Sequence, residues 1–371
     1  MRRHFVLQGL DKGLLLTIFT LAGLGLVQVY SSSYILATET YGDGLFFFRR
    51  QLIFVALGLA LLLLTAHIPH RWIHRYGFVL WGAATLGIAL TLVPGLGVKV
   101  GGATRWLRVA AGFNFEPSEL LKVSLPLMFA SLLNLYKRKN SRWLWVLGTF
   151  ILIGPMLLLL RQPDFGSFVI CLLVVSGLLF AFGFSTKAMA AGVVALIPVF
   201  YFLVMRVPYR RERVMAFLDP WADPTQGGFQ VIQSMLSFRS GGAFGQGLGQ
   251  GQGKLFFLPE AHTDFTLAVL GEEMGLVGYL ALLALYGFLI YRVFQLSLQA
   301  KNDFARALCL GLGLVFTLSV AINVGVVLGM LPPKGLTLPF LSYGGSSLLM
   351  TCFAFGLVLN CKLAELAPPR N

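Results

Sequence analysis

Charged residues are scarce in this sequence. Only 12% of its 371 residues are Asp, Glu, Lys or Arg, whereas 57% are hydrophobic and the mean hydropathy is +0.79. A soluble domain carries about 25% charged residues, so this chain has too little polar surface to cover soluble domains. The same composition excludes a disordered chain, a coiled coil and a collagen-like repeat. An integral membrane protein is the class that remains.

Cysteine and histidine are also rare, with four and five residues. All four cysteines fall within apolar runs, which is typical of small packing residues rather than of disulfides or metal ligands. Three histidines, at positions 67, 70 and 74, have the spacing HxxHxxxH in a short segment between two apolar runs. A zinc site is the alternative there, but no Cys or acid accompanies them, so we interpret them as histidines of the membrane interface.

Long apolar runs make up most of the chain. A helix needs about 20 apolar residues to cross the hydrocarbon core of a bilayer. Ten such runs are present, at residues 13–36, 51–69, 76–96, 118–136, 143–161, 165–183, 187–206, 264–291, 304–329 and 343–362. They lack the period-two alternation of membrane-barrel strands. We therefore predict an all-α polytopic membrane protein with about ten transmembrane helices, forming one integral membrane domain over residues 1–371.

The Lys and Arg residues indicate the orientation. Ten spans place both termini on one side, whose segments carry 15 of the 29 Lys and Arg residues, whereas the short loops of the other side carry seven. Because cytoplasmic loops are enriched in Lys and Arg, the N and C termini are predicted to be cytoplasmic. The long loop 207–263, between the seventh and eighth helices, is then extracytoplasmic.

The acidic residues are distributed in the opposite way. Twelve of the 15 lie on the outer side or at its membrane boundary, so mixed charges occur outside, as a polar reaction site requires. The net charge of +14 is concentrated in the cytoplasmic loops, which is typical of segments that face anionic lipid headgroups. No basic stripe with interleaved aromatic residues occurs, so we expect no nucleic-acid partner.

Four outer segments interrupt the apolar pattern with charged and Gly/Pro-rich sequence. In the first, 94–122, Glu119 and Lys122 stand one turn apart on a helix that Pro117 begins. Charged residues at a membrane edge are costly and are usually paired or functional, and a salt bridge that only fixes the helix end is the alternative. In the second, 161–166, Asp164 either caps the next helix or belongs to the site.

The third segment is the long loop 207–263. Its first half has the apolar rhythm of amphipathic helices, and seven of residues 241–253 are Gly without the spacing of a Walker nucleotide loop. Two alternative functions remain for this glycine-rich run: a flexible hinge, or a backbone cradle that binds a phosphate other than that of a nucleotide. The loop ends at Glu260, His262 and Asp264. An aspartate at the membrane boundary is partly desolvated and suits a proton acceptor, with a helix N-cap as the equal alternative.

The fourth segment, 330–347, contains Lys334, Ser342 and a Gly pair that permits close packing or the approach of a ligand. Together the four segments place cations beside carboxylates on one membrane face. Such a set suits a lipid substrate that carries phosphate and a hydroxyl group to be deprotonated. Asp264 is the candidate catalytic residue, and the candidate substrate-binding residues are Arg105, Glu119, Lys122, Asp164, Arg211, Arg213, Lys254, His262, Lys334 and Ser342.

Several motifs occur in an order typical of one family. They are GGATRW (101–106), EPSELLK (116–122), QPDFGS (162–167), RERVMAFLDPWADP (211–224), LPEAHTDFTLAVLGEEMGLVG (258–278) and LPPKGLTLPFLSYGGSS (331–347). Through them the chain resembles the SEDS family, which includes FtsW, RodA and sporulation relatives, over about residues 10–362. The segments DPWADP, PDFG and LPEAHTDF resemble the FtsW branch more than the RodA branch.

The resemblance implies a multi-pass protein of the bacterial cytoplasmic membrane that polymerises lipid II into β-1,4 glycan strands, for septal or elongation wall synthesis. It implies that Asp264 is the catalytic residue and that Glu119, Lys122 and Asp164 belong to the site. It also implies a class B penicillin-binding transpeptidase as partner, with regulatory divisome or elongasome membrane proteins. One departure stands out, because Glu116 occupies a position where the family usually has Gln.

The departing pyrophosphate of such a reaction also predicts a divalent cation, Mg²⁺ or Mn²⁺, bound mainly through the substrate, since magnesium often binds through one carboxylate plus phosphates. No organic cofactor is expected. Two other functions remain as alternatives. A lipid II flippase would carry ionisable residues deep within its spans, which are nearly free of charge here. A non-catalytic divisome scaffold would need no carboxylate at position 264.

Overall fold

The computed structural model describes residues 9–100, 103–109, 113–139, 142–206, 208–224, 228–253, 258–333 and 335–366. In these ranges the chain is mainly helical, and the helices pack around one continuous apolar core. The α-helices are α1 (Lys12–Tyr41), α2 (Phe46–His67), α3 (His70–Thr91), α4 (Pro117–Lys139), α5 (Arg142–Arg161), α6 (Phe165–Ala181), α7 (Thr186–Met205), α8 (Pro208–Leu218), α9 (Phe229–Gly241), α10 (Thr266–Gln299), α11 (Asp303–Val327) and α12 (Gly345–Leu366).

Each of the ten predicted apolar runs overlaps a helix, namely α1 to α7 and α10 to α12. Six of these helices, α1, α2, α4, α10, α11 and α12, are long and apolar enough to cross a membrane. The chain is therefore a multi-pass helical membrane protein. The four cysteines are free and buried, as the apolar surroundings in the sequence predicted.

The two remaining helices lie in the long segment between α7 and α10, where the sequence predicted amphipathic helices. Helix α8 packs against α7 and the short 3₁₀ turn Pro220–Ala222. Helix α9 packs against α10 and α11, with Val231 fully buried and the hydroxyl of Ser234 donating to the carbonyl of Val327 at 2.6 Å. Thus α9 is part of the helix packing rather than a helix that only rests on the surface.

The three histidines of the HxxHxxxH motif lie mainly in helices, not in a loop. His67 ends α2, Pro69 interrupts the helix, and α3 begins at His70. The ring of His70 is hydrogen-bonded to Asn360 at 3.2 Å and that of His74 to Asn134 at 2.9 Å. These contacts tie α3 to α12 and α4, and across the described ranges no group of three or more potential metal ligands occurs.

A small antiparallel sheet lies between α3 and α4, which the prediction of a wholly helical chain missed. Its strands are β1 (Gly97–Val100), β2 (Ala103–Arg108) and β3 (Asn114–Phe115), in the order β1-β2-β3. The sequence did contain a signal, because VKV and ATRWLR alternate on either side of a Gly pair, which is typical of a β-hairpin. Strand β2 carries Arg105 and so positions one of the candidate site residues.

At the opposite end of the bundle one carboxylate joins three helices. Asp11 is almost fully buried, and its Oδ1 caps α1 by accepting from the backbone N–H of Leu14 at 3.0 Å. Its Oδ2 accepts from Arg292 on α10 and from Lys362 on α12. This is the end with the excess of Lys and Arg in the sequence.

Helix α10 is broken at Gly275, whose φ of 65° is in the left-handed region. Residues 276–299 alone extend about 36 Å, which is enough to cross the hydrocarbon core. The preceding part, 266–274, is a separate short helix that is almost entirely buried. The side chain of Glu273 there accepts a hydrogen bond of 2.6 Å from Ser31 on α1.

The glycine-rich run packs directly on this break. The amides of Gln252 and Gly253 donate to the carboxylate of Glu272 at 2.8 and 3.0 Å. The amide of Gln246 donates to the Glu272 carbonyl at 3.0 Å, and that of Gly247 donates to the Glu273 carbonyl at the same distance. These amides therefore already donate hydrogen bonds to α10 and are not available to a phosphate. Residues 241–253 hold the broken part of α10 in place, and we call this segment the glycine-rich clamp.

The clamp leads to a prediction for two glycines with the same φ of +81°. A Cβ on Gly245 would lie 2.2 Å from the carbonyl oxygen of Glu273, whereas one on Gly249 would meet nothing within 4 Å. Gly249→Ala should lower the free energy of unfolding by about 1 kcal/mol, from the backbone conformation alone. Gly245→Ala should cost roughly 1–3 kcal/mol more, because backbone must move. Thermal unfolding in detergent measures both, and equal losses would contradict the clamp.

Candidate functional site

Asp264 immediately precedes the short helix 266–274, and its backbone is held from two sides. Its N–H donates to the carbonyl of Glu260 at 3.1 Å, and its carbonyl accepts from the amide of Asn323 on α11 at 3.1 Å. The N-cap of α10 is Phe265, and no side chain caps this helix. The alternative that Asp264 is the N-cap is therefore wrong, and the residue is half-buried.

The carboxylate of Asp264 lies close to the guanidinium of Arg105, with Gly335 between them. A Cβ on Gly335 would lie 3.4 Å from Oδ2 of Asp264 and 3.6 Å from Nη1 of Arg105. Gly335 therefore lies against both charged groups, and a side chain at this position would be in van der Waals contact with each of them.

Arg105 is also joined to the turn that precedes α6. Its Nη2 donates to the carbonyl of Pro163 at 2.6 Å, and its Nη1 lies 3.9 Å from Oδ1 of Asp164. The same Oδ1 accepts from the amide of Ser167 at 3.2 Å, so Asp164 both caps α6 and pairs with Arg105. Oδ2 of Asp164 and Nε of Arg105 are buried without a hydrogen-bond partner among the described residues.

Glu119 and Lys122 form a buried pair in the first turn of α4. Their Oε1 and Nζ atoms are 2.6 Å apart, and the residues are only 9% and 5% exposed. The pair lines a narrow, largely apolar cleft among α4, α10, α11 and α12. Leu336 and Thr337, which directly follow Gly335, line the same cleft. The segment that contains Gly335 thus continues from the neighbourhood of Asp264 into the lining of this cleft.

Glu116 stands one residue before α4, beside these groups. Burial raises the pKa of its carboxyl to about 8, and the charges of Glu119 and Asp164 act in the same direction. Lys122 and Arg105 oppose the shift without cancelling it. At neutral pH the Glu116 carboxyl is therefore mostly protonated.

His262 and Ser342 have structural contacts in this region. The His262 ring packs against Phe47 at 4.8 Å and Tyr343 at 5.9 Å, and burial lowers the pKa of its imidazole, with Glu260 acting against the shift. Ser342 is buried, and its hydroxyl accepts from the amide of Leu338 at 3.0 Å. The backbone amide of Tyr343 donates to the His262 carbonyl at 2.9 Å, which joins the two segments.

The remaining cations of the prediction are not brought into the cluster. Arg211 is exposed on α8 and makes no ion pair with the residues that the structure describes. The side chain of Arg213 and the residues Lys254 and Lys334 lie outside the described part of the chain. The structure thus groups Asp264, Arg105, Asp164, Glu119 and Lys122.

Sequence reasoning missed two residues of this region. Asn323 is buried in α11 and donates to the carbonyls of Asp264 and Leu336, at 3.1 and 2.7 Å. A signal was present, since an amide within an apolar transmembrane run is costly and usually has a function. Gly335, beside Lys334 in the sequence, had no signal, because its role depends on Arg105 and Asp264 from distant segments.

Comparisons with known proteins cover nearly the whole chain. Residues 12–365 match the model of the FtsW/RodA/SpoVE family, described as "Cell cycle protein". A protein of Geobacter metallireducens named "Probable peptidoglycan glycosyltransferase FtsW" is 42% identical over 352 residues, which are 94% of each chain. One of Thioalkalivibrio sulfidiphilus with the same name is 43% identical over 357 residues, covering 95% of this chain and 89% of the relative.

Solved structures are similar over the same extent. A chain from "Structural coordination of polymerization and crosslinking by a peptidoglycan synthase complex" matches with a TM-score of 0.77 at 32% identity, covering 96% of this chain and 98% of that one. The crystal structure of the Thermus thermophilus rod shape determining protein RodA matches with a TM-score of 0.71 at 29% identity, covering 97% and 98%.

Proposed function

The chain belongs to the FtsW/RodA/SpoVE family of cell cycle proteins and is a peptidoglycan glycosyltransferase, and we propose that Asp264 is the general base of its reaction. The reaction polymerises lipid II into β-1,4 glycan strands at the outer face of the bacterial cytoplasmic membrane. The observation that carries this proposal is the position of the Asp264 carboxylate and the Arg105 guanidinium on either side of Gly335.

The proposed topology has ten spans in one domain over residues 1–371, with both termini in the cytoplasm. The loop 207–263 is extracytoplasmic, and α8, α9 and the glycine-rich clamp belong to it. Two observations support this arrangement. The Asp11 cluster lies at the end where Lys and Arg are in excess, whereas Asp264, Arg105 and Asp164 lie at the opposite ends of the helices.

In the proposed mechanism the donor is the growing glycan on undecaprenyl pyrophosphate, and the acceptor is the 4-hydroxyl of GlcNAc on lipid II. Asp264 takes the proton of that hydroxyl as its oxygen bonds to the anomeric carbon of the donor. The bond from this carbon to the pyrophosphate breaks, and its electron pair leaves on the phosphate oxygen. An α-linked donor gives a β product by this single inverting step, so no covalent glycosyl enzyme is needed.

The negative charge that develops on the leaving pyrophosphate needs cations nearby. Arg105 is the best placed, because its guanidinium lies beside Gly335 together with the Asp264 carboxylate and is held there by Pro163 and Asp164. Lys122, fixed by Glu119, supplies a second positive charge. Arg211, Arg213, Lys254 and Lys334 are proposed as further substrate contacts from the outer loops, and His262 and Ser342 as residues that hold the surrounding segments.

The proposed divalent cation enters with the substrate. It would be held mainly by pyrophosphate oxygens, since magnesium often binds through one carboxylate plus phosphates. Bound there, Mg²⁺ or Mn²⁺ would neutralise part of the charge of the leaving group.

We also propose the setting in which the protein works. A class B penicillin-binding transpeptidase is the proposed partner, because polymerised strands must be cross-linked, and a similar chain occurs in a structure described as a peptidoglycan synthase complex. Regulatory membrane proteins of the divisome or elongasome would join them. Relatives named FtsW favour a place at the division septum.

The function is tested with the full-length protein in liposomes that contain fluorescent lipid II. We expect glycan chains, scored by gel electrophoresis, and no transfer of lipid II between leaflets beyond that of empty liposomes. Transfer without glycan would instead establish a flippase. Neither activity, with the partner transpeptidase present, would support a scaffold and contradict the proposal.

A further inference from the structure

Glu116 places a third carboxylate among groups that include two cations. The charged groups that face it are Glu119 and Lys122 on α4, Asp164 at the start of α6 and Arg105 on β2. These five groups carry a net charge of −1 when Glu116 is ionised and zero when it is protonated, and Asp264 beside Arg105 adds one further negative charge in either state. Protonation of Glu116 therefore removes one negative charge that would repel a phosphate in this region.

The geometry leaves one Glu116 oxygen free. Its Oε1 accepts a hydrogen bond of 3.0 Å from the hydroxyl of Ser118, and its backbone N–H donates to the hydroxyl of Ser346 on α12 at 3.1 Å. Oε2 has no hydrogen-bond partner among the described residues. This oxygen also keeps some exposed surface, so it is not fully buried. A protonated carboxyl would therefore have its O–H available to a ligand.

Neither neighbouring cation neutralises Glu116 directly. Lys122 is bound to Glu119 at 2.6 Å, and Arg105 is held by the Pro163 carbonyl and Asp164. Glu116 forms no ion pair within the part of the chain that the structure describes. A half-buried carboxyl with two carboxylate neighbours and no ion pair retains its proton more strongly than an exposed Glu.

We propose that Glu116 works as a neutral acid that donates its Oε2–H to a phosphate oxygen of the substrate, and that its ionisation expels the substrate at alkaline pH. This rests on the proposed function, because it assigns a specificity-determining residue to the same site. The proton makes Glu116 a hydrogen-bond donor, and its loss leaves a negative charge that faces the phosphate. Binding of the anionic substrate thus depends on the proton of the Glu116 carboxyl.

The test compares the full-length wild type with Glu116→Gln and Glu116→Ala. An amide donates a hydrogen bond as the neutral acid does but does not ionise, so Glu116→Gln mimics the protonated form. For the wild type, kcat/KM for lipid II should fall by up to about tenfold per pH unit above roughly pH 8. In Glu116→Gln, kcat/KM should stay within about threefold of its neutral-pH value above pH 8. The two proteins should differ in the pH dependence of KM rather than of kcat.

Two controls separate this role from a structural one. Glu116→Ala should lower kcat/KM at neutral pH by about tenfold, since it lacks the donor, and should show no alkaline fall, since it has no carboxyl to ionise. Glu260→Gln, which removes an exposed carboxyl bonded to Thr263, should retain the alkaline fall. His262 cannot cause that fall, because burial lowers the pKa of its imidazole and it is already neutral there.

A second measurement does not depend on catalysis. Binding of undecaprenyl pyrophosphate should weaken with rising pH in the wild type and much less in Glu116→Gln. The same alkaline loss in both proteins, or equal activity of Glu116→Gln and Glu116→Ala at neutral pH, would overturn the inference. If the wild type makes no glycan at any pH, the proposed function fails, and the binding curves alone then decide the role of Glu116.

Discussion

Replacing Asp264 by Asn is expected to lower the rate of polymerisation by about 10²- to 10⁴-fold, the range attributed to general base catalysis. Asn has nearly the same shape as Asp but cannot accept the acceptor's proton. The backbone contacts of residue 264 with Glu260 and Asn323 do not involve the side chain, so the variant should fold normally. Purified protein with lipid II, followed to single turnover, measures the effect.

The matched control is Glu260→Gln, which removes the charge of a nearby exposed carboxyl that is bonded to Thr263 at 2.9 Å. It should keep at least about half of the wild-type rate, because a solvated charge several residues away has little influence on the proton transfer. If Asp264→Asn is fully active, or if both variants lose activity equally, Asp264 is not the base.

The largest effect on stability is expected at the buried pair of Glu119 and Lys122. Lys122→Met leaves an uncompensated carboxylate within the first turn of α4, which should lower the free energy of unfolding by about 3–5 kcal/mol. The double variant Glu119→Gln/Lys122→Met has no charge at either of these two positions and should recover most of that loss. Unfolding in detergent, followed by circular dichroism, measures both.

The double variant also distinguishes the two interpretations of the pair. If Lys122 stabilises the leaving pyrophosphate, the double variant should be folded but slow, with kcat lowered by at least about tenfold. A folded and fully active double variant would reduce the pair to a salt bridge that fixes the helix end. Lys137→Met is the control at the other end of the bundle. Its exposed pair with Asp303 should contribute less than about 1 kcal/mol.

The sequence predicted the features that depend on local spacing. Apolar runs of sufficient length predicted the helices, and the interval of three residues predicted that Glu119 and Lys122 share a helix face. The membership of the family, inferred from the order of the motifs, is confirmed. For Asp164 the sequence left two interpretations, a helix cap or a residue of the site. The structure shows both contacts, since Asp164 caps α6 and also pairs with Arg105.

Features that depend on distant segments could not be predicted in this way. The site of Arg105 depends on a small sheet between α3 and α4, and Asp264 and Arg105 meet beside Gly335, which comes from a third segment. The glycine-rich run was ambiguous because its partner, the broken part of α10, lies about 20 residues away. The pKa of Glu116 results from the packing of β2, α4 and α6 together.

The central claim is that Asp264 accepts a proton from a sugar hydroxyl at the outer end of the helix bundle. The most direct measurement is a structure of the inactive Asp264→Asn protein in a membrane with lipid II and undecaprenyl-pyrophosphate-linked glycan bound. The account predicts the 4-hydroxyl of the acceptor within about 3 Å of the side chain at position 264, or one water away, and the pyrophosphate beside Arg105. Sugars bound elsewhere, or a side chain at 264 that faces lipid, would contradict it.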